Sequence, residues 1–175
     1  MLKHAFSRLI RERSGASAIE FAFLAPILLF FFLASITVFD MYRTYQNIVQ
    51  ANGIVADVIS RQTSIDNTFV SNLYSVFTHL QQNSTAPIAL RISSIKKTAG
   101  VYKLDWTKES GTAGLLKAQV LSTSTLPQLT DGDSVIYVEG AASYTAMTSI
   151  MGFGSMTFAE TAFSRPRFIG AIVYQ

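Results

Sequence analysis

Nineteen consecutive residues, Phe21 to Phe39, carry no Asp, Glu, Lys or Arg, and a single carboxylate, Glu20, stands at their threshold. A helix needs about twenty predominantly apolar residues to cross the hydrocarbon core of a bilayer. Leu24 and the run from Ile27 to Leu33 fill the middle of the stretch, so hydropathy predicts a transmembrane helix. Asp40 and Arg43 mark its far edge.

The flanks predict orientation. Lys3, Arg8, Arg11 and Arg13 precede the span against one acid, Glu12, and only Arg43 lies close beyond it. Basic residues beside a span favour the cytoplasmic side, which puts residues 1–15 in the cytoplasm and 40–175 outside it. Taking those five charges from the fourteen basic and eleven acidic residues leaves ten of each sign. The basic balance is a property of the leader, so a nucleic-acid-binding body is not expected.

An ordinary secretory signal has an apolar region of roughly 7–15 residues. Here the run is longer, Glu20 interrupts its start, and helical patterning continues beyond it instead of stopping at a small-residue cleavage site.

The stretch Ser14-Gly15-Ala16-Ser17-Ala18-Ile19-Glu20-Phe21 resembles a class III prepilin-type signal, as carried by TadE-like and TadF-like pseudopilins of the tight-adherence (Flp/Tad) pilus system. That pattern is a basic leader, a glycine, a glutamate five residues later with an aromatic beside it, and then an apolar segment. The resemblance implies cleavage between Gly15 and Ala16 by a membrane aspartic prepilin peptidase, leaving residues 16–175. It implies that Glu20 and Phe21 serve subunit register, with Glu20 paired to the Ala16 amine of a neighbour. Phe21 keeps the ring of the Glu-Tyr pair typical of the major Flp pilin and lacks its hydroxyl. The part beyond the membrane is too long for a major pilin and too short for the larger TadG-like proteins, which points to a minor pilin. Ser164-Arg165-Pro166-Arg167 is similar to the closing part of TadE-like domains. The implied partners are prepilin peptidase, other pseudopilins or pilins, the inner-membrane pilus assembly platform and the lipid bilayer. The implied location is the bacterial inner membrane with a periplasmic domain, or the extracellular pilus itself.

Physics gives the same residues sensible roles. Glycine tolerates the extended backbone a protease needs. A carboxylate at the bilayer centre costs about 2.5–3.5 kcal/mol, less near the interface, and usually has a partner. The alternative is that Glu20 snorkels to the headgroups. Pro26 lacks an N–H and its ring crowds the Ala22 carbonyl, so a local kink or weakening is expected.

Helical patterning continues past Phe39. Met41, Tyr45, Ile48, Asn52, Val55 and Ile59 recur at spacings of three and four, widened by Tyr42, Val49 and Val58. One helix from about Ser17 to Arg61, on the order of 65–70 Å long, is expected, residues 16–39 in the membrane and 40–62 extending beyond it. Residues 63–175 form the rest of the domain. A second helix is predicted over Asn67 to Gln82, with Phe69, Leu73, Val76, Phe77 and Leu80 as its apolar face and His79 among them.

After Pro87 the period becomes two. Ile88, Leu90 and Ile92, then Tyr102, Leu104 and Trp106, flank a turn over Lys96 to Gly100 and predict a hairpin. Glu109 to Gly114 reads as a loop, Leu115 to Leu121 as undecided, and Ser122 to Thr125 as a short loop. Leu126 to Asp133 is a turn cluster. Val135 to Met147 and Met156 to Ser164 read as strands joined by a turn over Met151 to Gly154. The expected fold is α+β, an antiparallel sheet of about four strands packed on the long helix. Without cysteine, no disulfide contributes.

Catalytic groups are not expected. Asp131-Gly132-Asp133 lacks the rest of a calcium loop. Gly152-Phe153-Gly154 lacks the Lys-Ser/Thr of a phosphate loop. Two histidines, His4 and His79, without cysteine give no zinc set. No cofactor is expected. Arg165 and Arg167 could meet an acidic surface or stand solvated. Two function classes remain: an assembly subunit of a pilus, or an anchored periplasmic enzyme or ligand-binding module with a deep polar pocket in residues 85–175.

Overall fold

The structure, a computed structural model, describes residues 14–81, 86–119, 126–146, 152 and 154–175. The expectations for the leader up to Arg13, Asn83 to Thr85, Leu121 to Thr125, Met147, Met151 and Phe153 lie outside the described residues. The chain divides into two compact units at Asp40 and Met41.

Helix α1, Ser14–Ser60, is unbroken through Pro26 and starts three residues earlier than expected. In the first unit its large apolar side chains face outward, Phe21, Phe23 and Phe39 among the most exposed. The hydroxyls of Ser35 and Thr37 donate one turn back to Phe31 O (3.0 Å) and Leu33 O (2.9 Å), which satisfies them inside the helix, as an apolar surrounding demands.

In the second unit, Met41 to Ser60 of α1 buries Ile48, Ala51, Asn52, Val55, Ala56, Ile59 and Ser60. The expected stripe is there, but narrower and deeper. Tyr42 and Val49 stand 58% and 40% exposed. Strand β1, Ser64–Ile65, follows, then helix α2, Asn67–Leu80, capped by Asp66, whose carboxylate accepts the Phe69 N–H at 2.7 Å. Its buried side chains are Val70, Leu73 and Phe77. Val76 and His79 are exposed, correcting the expected face. At 100° per residue His79 lies diametrically opposite Val70.

Strands β2, Ile88–Thr98, β3, Val101–Gly111, β4, Ser134–Thr145, and β5, Ser155–Ser164, form one antiparallel sheet in the order β3-β2-β4-β5. The β2–β3 turn is tighter than expected. It comprises Ala99 and Gly100, with φ of 51° and 77°, the signature of a two-residue type I′ turn. Glu109 to Gly111 belong to β3 and not to a loop. Ser94 pairs with Trp106 and Ile95 with Leu104, leaving Asp105 unpaired as a β-bulge. The bulge breaks the expected alternation. Trp106 packs on the helix side of the sheet, its Nε1 donating to Ile172 O at 2.8 Å, whereas Tyr102 packs on the other side with Ile95, Leu129 and Val135.

One core joins the sheet to both helices, with Ile48, Val55, Ile59, Leu73, Phe77, Leu90 and Val138 at its centre. Strand β6, Val173–Tyr174, pairs in parallel with β1, a contact the sequence pattern did not announce. Arg167 N donates to Ser60 O at 2.8 Å and its guanidinium meets Asp57, so the C-terminal segment closes the end of α1.

Candidate functional site

Gly15 lies in the first turn of α1, and Glu20 one turn beyond Ala16. Glu20 is exposed, and Phe21 beside it is 67% exposed. Pro26 falls six residues further on, inside the continuous helix. These residues therefore share one outward-facing helix, with a single carboxylate ahead of a long uncharged surface. A patch of this size on a soluble unit signals an interaction with lipid or protein. Each large apolar side chain gains roughly 1.5–3 kcal/mol on leaving water. Several together outweigh the cost of one carboxylate near the bilayer edge, which is below about 2.5–3.5 kcal/mol. The helix is long and apolar enough to cross a membrane and is compatible with a membrane anchor.

The second unit holds its own ionic site, on the sheet face away from the helices. Arg91 of β2 is buried between two register partners, Glu109 of β3 and Glu139 of β4. Its Nε donates to Glu109 Oε2 at 3.0 Å, and its Nη1 donates to Glu139 Oε2 at 3.1 Å and Lys117 O at 2.9 Å. Burial works against the Arg91 charge. The hydrogen bonds to Glu109 and Glu139 outweigh it, so the guanidinium pKa is raised. A cleft of about 300 Å³ adjoins this cluster, lined by Leu115, Leu116, Lys117, Glu139, Thr157 and Ala159 among others. Neither an imidazole nor a thiol lines it. Among the described residues no three His, Cys, Asp or Glu side chains gather as a metal-holding group. Asp131 instead uses Oδ1 to accept the Gly100 N–H at 2.9 Å, bracing the β2–β3 turn.

Residues 15–51 match the family model described as TadE-like protein. The segment is TadE-like, consistent with a pilin of the Tad system. The chain matches no curated protein and no solved structure.

The TadE-like segment contains Gly15, Ala16, Glu20, Phe21 and Pro26, and it ends at Ala51, partway along the buried stripe of α1. Residues 52–175, including the whole sheet, lie beyond it. Arg91 was missed from sequence because Glu109 was read as loop. The available signal was one basic residue amid the otherwise uncharged run Ile88 to Ile95 of β2, with acids in the strands that became its cross-strand partners. Arg165 and Arg167 turn inward, Arg165 to Gln128 O and Arg167 to Asp57; both remain exposed.

Proposed function

We propose that the chain is a processed minor pilin of a Tad-type pilus, acting structurally in assembly at its initiation, tip or base. The observation that carries this reading is the TadE-like match lying on an exposed apolar helix with one carboxylate at its head. In this reading residues 1–15 are a cytoplasmic leader and prepilin peptidase cleaves between Gly15 and Ala16. The helix is held in the inner membrane with residues 40–175 in the periplasm. Helicity of the Gly15–Ala16 region means that its first turn must fray before a protease can hold it extended.

Cleavage leaves an amine on Ala16, one turn from Glu20. In a lone subunit the two charges can neutralise one another along the helix. In an assembly, Glu20 meets the amine of a neighbour, which sets axial register. Partners are other pilins or pseudopilins and the inner-membrane assembly platform. The test is Glu20→Ala. The variant inserts in membranes as before and loses incorporation and crosslinking to partner subunits; unchanged pili and crosslinks would remove the reading's main support.

A further inference from the structure

The two edges of the sheet differ in character. The strand order places β3 at one edge and β5 at the other. An edge strand presents a row of N–H and C=O groups to any further strand, and proteins blunt such edges with charge and bulges. Strand β3 is blunted in this way. It carries Lys103, Asp105, Lys108 and Glu109, and the bulge at Asp105 breaks its register. Strand β5 is not. Its register with β4 runs unbroken from Ser155 to Ser164. It holds no proline, and its one charge is Glu160. Glu160 is the register partner of Gly140, on the helix side of the sheet, where the Tyr45 hydroxyl of α1 donates to its carboxylate.

The outer face of β5 is bare as well. The chain between β3 and β4 covers the neighbouring strands, Leu116 packing on Ala89 and Ala141, and Leu126 and Leu129 packing with Ile95 and Val135. Its described residues leave Thr157, Ala159 and Thr161 of β5 exposed, along one side of the cleft that Leu115 to Lys117 wall on the other.

We propose that β5 is the docking edge for a second copy of this chain, whose own β5 adds to it antiparallel about a two-fold axis at Ala159. Strand addition gains affinity from main-chain hydrogen bonds and specificity from the side chains set opposite. Here those side chains match the strand to itself. About Ala159 the pairing spans Ser155 to Phe163. Thr157 opposes the partner's Thr161 on the outer face, and Phe158 opposes the partner's Glu160 on the helix side, so no like charges stand directly opposite. Moving the axis on to Glu160 sets two carboxylates face to face, which destabilises a strand pair. The outer face of β5 offers no charge by which a foreign strand would be selected. This pairing draws on the sheet alone and stands apart from the pilus role and from the membrane anchor.

The chain has no cysteine, so introduced thiols report cleanly. Directly opposed residues of an antiparallel pair have Cα atoms about 4.5–5.5 Å apart, within reach of a disulfide. The full chain is purified in detergent micelles and mildly oxidised. Ala159→Cys, at an exposed position, is expected to give several-fold more disulfide-linked dimer than Val101→Cys, at a 56% exposed position on the opposite edge. A mixture of Thr157→Cys and Thr161→Cys chains gives the mixed dimer in excess over either self-linked one. Adding Thr157→Lys and Thr161→Lys to the Ala159→Cys chain abolishes the link, because the new ammonium groups oppose one another. Thr157→Lys with Thr161→Glu restores it, which separates a lost pairing from a lost fold. Equal linkage at 159 and 101, no dimer at 159, or a dimer at 159 that survives the two lysines overturns the inference. In membranes, a link from 159 to a protein of different mass in place of the dimer overturns the second copy as occupant.

Discussion

Asn52 is a fully buried amide in a mostly apolar helix face, and it sits against a residue with no side chain. Its Nδ2 donates to Glu160 O, and a Cβ on Gly140 would lie 2.2 Å from its Oδ1 and 2.6 Å from Phe77 Cζ. Gly140 is thus required for the close approach of α1 and α2 to β4. Gly140→Ala forces backbone and two packed side chains apart, and overpacking of this kind costs about 1–3 kcal/mol, read as a lower denaturation midpoint of the purified chain. Tyr137, stacked on Phe163 at 4.9 Å between ring centroids, makes a prediction in pH. Burial raises its phenol pKa, and the Glu139 carboxylate raises it further. The folded state therefore favours the neutral phenol. That stability is complete below the ordinary tyrosine value, about 10, and is lost as pH rises through the higher folded value. Tyr137→Phe keeps the stacked ring and flattens the alkaline fall in unfolding midpoint. Tyr45, raised chiefly by Glu160, keeps a residual slope in the variant.

Among the elements, the β2–β3 hairpin shows where sequence and structure part. The alternation of Ile88, Leu90 and Ile92 was legible because that face of β2 is apolar up to Ser94. The turn was placed too early because Ala99, which has no preference for positive φ, occupies a left-handed position beside Gly100. A non-glycine residue there stores about 1–2 kcal/mol. Ala99→Asn, which tolerates that backbone, is expected to stabilise the chain by about 0.5–1 kcal/mol, measured by chemical unfolding. The long helix was readable from its uncharged run and its three-four spacing, the second helix and the first hairpin from their periods, and the last strands from their β-branched and aromatic content. The bulge at Asp105, the two-residue pairing of β1 with β6 and the Arg91 cluster were not. Each depends on partners distant in sequence and leaves no local period. On α2 the pattern read from Phe69 to Leu80 drifted around the helix, since both Val70 and Val76 fit it and only packing chooses Val70.

At the scale of the whole molecule, an apolar helix that gains by leaving water continues into a unit that carries ten basic and eight acidic side chains. The sequence made the first part plain, because nineteen uncharged residues admit few other fates. The sites it named, Gly15, Ala16, Glu20 and Phe21, all fall within the TadE-like segment. The roles we propose for them belong to an assembled and processed protein, where a new amine and a neighbouring subunit would enter. The central claim is processing, and intact mass tests it most directly. The chain is purified from membranes of cells with and without a prepilin peptidase and weighed whole. The account predicts a mature species beginning at Ala16, formed only when the peptidase is present; a mature N-terminus elsewhere, or a full-length chain in both, would contradict it.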